Sequence, residues 1–378
     1  MLPDIRSFTR EALAARFQEW DQPAYRVDQL LQWLYARRAA SWEAMTNLPR
    51  DLRAQLAAAF SLQPLELLRR QGSADTTQKF LWRLADGARI ESVLIPANPA
   101  LYGEASDRHT LCVSTQVGCA YGCRFCASGL EGWKRNLRPE EIVGQVLAVE
   151  ELAAQAGTAG GTDPAAPARE ARERVVNNLV IMGMGEPLAN YDHLLQALRI
   201  LNAPWGGGIG ARKITISTSG LAPQIRRLAT EPLQFRLAIS LHGATDATRN
   251  RIMPVNRKYP LAELTAAIED YQRQRDRLIT FEYILIAGVN DAVAEVAPLA
   301  TLARRLKAKV NLIPYNTVEG LPWTRPSEET QEAFLAALTE RGITATLRRE
   351  KGHDIDAACG QLRLRSERED REGAAPVS

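Results

Sequence analysis

The sequence is that of an α/β protein: a partial barrel of six βα units preceded by a small, mostly helical N-terminal domain. Two patterns predict this. From about residue 107, short apolar runs alternate with helical segments, as in parallel βα repeats. Before that point apolar residues recur at helical spacing. A third feature bears on what the barrel carries: three of the five cysteines, Cys119, Cys123 and Cys126, fall within eight residues.

The elements follow in order. Residues 10–20 and 23–38 place Phe17, Trp20, Leu30, Leu31 and Leu34 at helical spacing, and a third helix at 49–60 follows Asn-Leu-Pro. Strand-like runs at 79–84 and 90–95 flank Asp86-Gly87, a hairpin signal. Barrel strands are expected at 111–117, 179–184, 214–219, 237–242, 281–286 and 310–315. Helices are expected at 139–154, 193–201, 261–275, 294–306 and 328–341. The chain thus divides into a helical domain with a hairpin at 1–95, a barrel at 96–362 and a disordered mixed-charge tail at 363–378. The Ala/Gly/Pro-rich stretch 155–168 reads as a flexible surface loop.

Composition narrows the class. With 46% hydrophobic and 24% charged residues the chain has the balance of a globular protein with a sizeable core. A formal charge of +3 permits a polyanionic partner without arguing for one. No run approaches the ~18 apolar residues of a membrane span. The N-terminus lacks a basic segment followed by an apolar one, so a cytoplasmic protein without membrane contact is expected. Five cysteines, three of them clustered, fit a reducing compartment and metal ligation better than a disulfide framework.

Chemistry concentrates at the strand ends, where such folds place their sites. In C-x3-C-x2-C, three thiolates hold three irons of a four-iron cluster and leave the fourth open to a ligand. A structural zinc site is the bland alternative, but those usually show paired C-x2-C motifs separated by a longer loop. Phe125 would shield the cluster from water. Gly183-Met184-Gly185-Glu186-Pro187 follows an apolar strand: its glycines would let backbone approach a ligand, and Glu186 could accept from an ammonium group. Ser217-Thr218-Ser219-Gly220 and Ser240-Leu241-His242-Gly243 bring hydroxyls to strand ends, either to bind a carboxylate or ribose or merely to cap turns. His242 alone would more often be a satisfied core histidine. Asn316 could read an adenine or ribose. Cys112 and Cys359 stand apart, and Cys359, in a polar Gly-bounded segment, suits a mobile nucleophile.

Together these features resemble the radical S-adenosylmethionine (SAM) family that methylates C2 of adenosine in large-subunit (23S) ribosomal RNA and in transfer RNA. The resemblance runs from Tyr25-Arg-Val-Asp-Gln-Leu-Leu-Gln-Trp through Asp356-Ala-Ala-Cys-Gly-Gln-Leu. It implies a radical SAM partial barrel and a [4Fe-4S] cluster on Cys119, Cys123 and Cys126, with two SAM molecules used per turnover. It also implies SAM contacts from Gly185, Glu186, Ser217, Ser240, Leu241, His242 and Asn316. By the same resemblance Cys359 carries the methyl group, Cys112 resolves the adduct through a transient disulfide, and Glu91 accepts the C2 proton. The N-terminal domain would handle RNA, a flavodoxin-like donor would supply electrons, and the protein would be a monomer. Basic residues Lys134, Arg135, Arg138, Arg348, Arg349 and Lys351 are candidate RNA contacts. Two alternatives stay open: an adenine-C8 methyltransferase with the same cysteines, and a zinc-stabilised RNA-binding protein without catalysis.

Overall fold

A computed structural model describes residues 2–73, 76–97, 107–130, 132–158, 174–275, 277–348 and 361–373. The N-terminal unit holds helices α1 (Arg10–Glu19), α2 (Tyr25–Leu31) and α3 (Arg50–Ala59). Thr9 caps α1, its hydroxyl accepting from the Ala12 N–H at 3.3 Å. A π turn, Gln32–Ala36, prolongs α2. Leu13, Phe17, Leu30, Leu31, Leu52 and Leu56 are buried, on the faces that the helical spacing marks as apolar.

The main sheet has ten strands in the order β1-β2-β3-β4-β7-β8-β9-β10-β11-β12. They are β1 (Glu66–Gly72), β2 (Gln78–Arg83), β3 (Arg89–Pro96), β4 (His109–Cys112), β7 (Asn178–Ile181), β8 (Ile214–Thr218), β9 (Arg236–Ser240), β10 (Thr280–Leu285), β11 (Lys309–Pro314) and β12 (Ala345–Leu347). From β4 to β12 every pairing is parallel. The six expected barrel strands are therefore present, and β12 adds a seventh. Helices α4 (Pro139–Thr158), α5 (Tyr191–Asn202), α6 (Ala222–Ala229), α7 (Asp246–Ile252), α8 (Leu261–Arg275), α9 (Val296–Arg305) and α10 (Glu328–Glu340) connect them. The buried faces of helices and strands form one apolar cluster.

Four differences from the sequence reading have physical causes. The hairpin β2–β3 belongs to the barrel sheet, because β3 pairs antiparallel with β4 from Val93↔Cys112 to Pro96↔His109. A boundary at residue 95 would thus cut a continuous sheet. The run 111–117 is two strands: Ser114 turns the chain, and β5 (Gln116–Gly118) leaves to pair with β6 (Trp133–Asn136). There the Ser114 hydroxyl donates to the Glu91 carbonyl at 2.6 Å, and its N–H donates to Gln145 Oε1 at 2.9 Å. β1 was not expected, since its Arg69-Arg70 pair breaks the apolar alternation. The stretch 363–378, read as a disordered tail, is helical through residue 373 in α11 (Gln361–Gly373). Its charges have partners: Arg69 pairs with Glu369 at 2.6 Å, Arg89 with Asp370, and Arg363 with Glu367 one turn on at 2.8 Å. Residues 155–158 of the insert form the last turn of α4, and the remainder lies outside the described residues.

Candidate active site

The cysteine loop follows β5. Gly118 (φ +76°) lets the loop turn against β6, where a Cβ would stand 1.9 Å from the Gly132 carbonyl oxygen. The Cys119 N–H donates to that oxygen at 3.2 Å, and the Cys126 N–H to the Cys123 carbonyl at 3.1 Å. All three cysteines line a cavity of about 290 Å³ at the carboxyl ends of the strands. Gly185, Glu186, Ser217, Ser240, His242 and Asn316 line the same cavity. Residues scattered from position 119 to position 316 thus meet in one space.

Leu241 does not join them. Its side chain is buried in the core, and its N–H donates to the Glu282 carbonyl at 2.9 Å. At φ +102° the Cβ of Gly185 would lie 2.6 Å from the Gln116 Cβ, so this cavity-lining glycine also admits the protein's own loop. That contact has a use. Gln116 Oε1 accepts from the N–H groups of Glu186 at 2.9 Å and Ala120 at 3.2 Å, while its Nε2 donates to Asn136 at 2.7 Å. One glutamine ties the cysteine loop to the Gly-Glu loop.

Glu186 is buried and partly committed, with its carboxylate accepting from the N–H groups of Ser219 at 2.7 Å and Leu188 at 3.0 Å. Burial pushes its carboxyl up although the Ser219 N–H opposes this. The Ser217 and Ser240 hydroxyls lie 3.1 Å apart. His242 Nδ1 accepts from the Ile284 N–H at 3.0 Å, which leaves the proton of the neutral ring on Nε2. Burial, aided by Arg249, lowers its pKa to about 3, so the ring is uncharged at neutral pH. Phe125 stands edge-on to it at 5.0 Å.

Beneath the strand ends lies Arg249, which no motif marks. It donates to the carbonyls of Ser240 (3.3 Å), Leu241 and Ser219 (3.0 Å) and to Asn256 Oδ1 (2.8 Å). Glu282, on β10, also lines the cavity and was not singled out by the sequence.

The expected catalytic residues sit apart from this lining. Glu91 is buried on β3, 3.0 Å from the Lys79 ammonium, and accepts from the Arg363 N–H at 2.6 Å. Cys112 is buried at the end of β4. Cys359 lies outside the described residues, as do Arg349 and Lys351. Among the candidate RNA contacts, Arg135 is held by Asp86 and Glu141, each at 2.7 Å. Lys134 lies 4.0 Å from Glu367 and Arg138 3.8 Å from Glu140.

Residues 3–62 match the family described as the ribosomal RNA large subunit methyltransferase N-terminal domain, and residues 162–299 match the radical SAM superfamily. A probable dual-specificity RNA methyltransferase RlmN 3 from Opitutus terrae is 53% identical over 97% of this chain and 96% of its own length. A probable RlmN from Akkermansia muciniphila is 51% identical over 97% of each chain. This chain belongs to the RlmN family of dual-specificity RNA methyltransferases. A crystal structure of a radical SAM methyltransferase from Sphaerobacter thermophilus, 44% identical, has the fold of this RlmN-family chain at a TM-score of 0.84, covering 95% of this chain and 98% of that one.

A radical SAM enzyme of the RlmN family uses SAM and a [4Fe-4S] cluster, and the donor set fits that cluster. Burial pushes the Cys119 thiol up to about 12, and burial with the two neighbouring sulfurs pushes Cys123 well above the ordinary thiol range. Two such thiols stay protonated unless cationic metal is bound beside them, and metal coordination deprotonates them outright.

Proposed function

We propose that this RlmN-family enzyme methylates C2 of an adenosine in 23S ribosomal RNA and in transfer RNA, with Cys359 as methyl carrier. In this reading Cys112 resolves the adduct by a transient disulfide, and Glu91 takes the C2 proton. The enzyme acts as a cytoplasmic monomer fed by a flavodoxin-like electron donor. Adenine C2 is an electron-poor carbon that does not attack the methyl group of SAM, and the cluster with SAM supplies the radical chemistry that this carbon requires.

The observation that carries the reading is where the chain resumes after Cys359. Gln361, two residues on, donates to the Thr317 carbonyl at 2.8 Å, next to the cavity residue Asn316. Arg363, two further on, donates its N–H to Glu91. The described chain thus resumes between the cavity and the carboxylate. The protein's residues divide the work. Cys119, Cys123 and Cys126 would hold the cluster; Glu186, Ser217, Ser240, the His242 Nε2–H and Asn316 would orient SAM. Lys79, 3.0 Å away, holds the Glu91 carboxylate in place.

Two measurements test this. Mass-spectrometric mapping of RNA methylated by the anaerobically reconstituted enzyme should place the methyl on adenine C2; a C8 methyl would overturn the assignment. Cys359→Ala should abolish transfer, and continued turnover in that variant would refute the methyl-cysteine route. About four irons per chain are expected, where a zinc protein would hold none.

A further inference from the structure

The barrel interior opens into a second chamber, of about 810 Å³, at the end where the strands begin. Thr215, Arg236, Thr280 and Lys309 line it near the strand starts, with Glu282 and Asn311 one inward-facing step further along. Met182, Glu282 and Arg348 line both this chamber and the SAM cavity, so the two spaces adjoin at those residues.

Two properties of the chamber call for a ligand. The first is its charge. Arg236, Arg277 and Lys309 have no carboxylate within ion-pair distance among the described residues, unlike Arg135, which two carboxylates hold. The second is Glu282. Its Oε2 accepts from Asn311 Nδ2 at 2.7 Å, and Asn311 Oδ1 accepts from Thr346 at 3.2 Å, a ladder across three registered strands. Among the described residues no donor reaches Oε1. Burial raises this carboxyl against the Asn311 hydrogen bond and the Arg348 charge, and its second oxygen leaves an acceptor on the chamber wall for a donor.

We propose that the chamber admits the target nucleotide from the strand-start end, and that Glu282 Oε1 accepts a hydrogen bond from the exocyclic amine of its adenine. This rests on the RNA-methylating activity proposed above. The amine of adenine is a donor, whereas guanine presents an oxygen acceptor at that position, which a carboxylate repels. An unstacked base is read by such edge contacts. The amine lies away from C2, so gripping it leaves the reacting carbon uncovered. A chamber of this size accommodates a nucleotide, and Arg236 and Lys309 suit the flanking phosphates. Glu282 is then a specificity residue for the base.

The test compares kcat/KM on a synthetic RNA fragment spanning the mapped adenosine with the same RNA carrying purine riboside, which lacks the amine, at that position. A hydrogen bond to a charged group predicts a wild-type preference for adenosine of about 10- to 100-fold. In Glu282→Met the preference should fall to near unity, with the larger loss on adenosine. Equal use of both RNAs by the wild-type enzyme would refute the reading of the amine alone, whether or not the variant folds. A variant that keeps the preference while its KM for SAM rises would refute it too, by assigning Glu282 to SAM. Methylation of neither RNA by the wild-type enzyme would overturn the activity itself and this proposal with it.

Discussion

Fully buried arginine is uncommon, and Arg249 is buried beneath the loops that shape the cysteine-lined cavity. Replacing it with methionine leaves the Ser219 and Leu241 carbonyls without their donor. We expect Arg249→Met to cost about 2–6 kcal/mol, about 1–3 for each stranded carbonyl, measured by denaturant unfolding of the holoenzyme. Gly185→Ala forces a strained φ and drives a methyl group into Gln116; about 1–3 kcal/mol of strain should weaken SAM binding roughly 5- to 150-fold by calorimetry. His242 gives a pH dependence whose sign is fixed. Burial holds its pKa at about 3 in the folded chain against an ordinary value near 6.5. Between those values the unfolded chain takes up a proton that the folded one refuses, so stability falls as pH drops. From pH 7 to 5 the loss should be about 2 kcal/mol, and His242→Gln should remove that part of it. The cysteines were legible because three thiols in one tight run suit a four-iron cluster better than a paired zinc site. Arg249, Gln116 and Glu282 were not, because an arginine in Thr-Arg-Asn-Arg or a glutamine in a strand looks like surface until long-range contacts bury it.

At the scale of elements, β2, β3 and α11 form one clamp. Lys79 on β2 and the Arg363 N–H on α11 both meet the Glu91 carboxylate on β3. Lys79→Met strands that carboxylate and should cost about 3–5 kcal/mol, whereas Lys79→Met with Glu91→Leu should recover most of the stability while losing turnover. A double-mutant cycle on unfolding midpoints measures the coupling. Strands β7 to β11 were legible as apolar runs buried in a parallel sheet. The last helix was not, because its mixed charges imitate a solvated tail until the partners on β1 and β3 are known. The join of the hairpin to the barrel was equally hidden, since pairing with β4 spans residues whose sequence carries no pairing signal.

At the scale of the whole molecule, a net charge of +3 conceals an uneven distribution. Basic residues beside the cysteine loop are matched with acids, while Arg236 and Lys309 at the second chamber have no carboxylate within ion-pair distance among the described residues. Salt titration of RNA binding should therefore show Arg236→Ala and Lys309→Ala each flattening the log Kd against log salt slope by about 0.7, with Lys134→Ala leaving it nearly unchanged. The anchoring of α11 sets a further limit. Gln361, whose side-chain amide is fastened to the Thr317 carbonyl, stands two positions past Cys359, and two residues of extended chain span at most about 7 Å. A methyl carrier at Cys359, as proposed, would work on that short leash: loading and delivery would share one small sphere, and the RNA would have to travel.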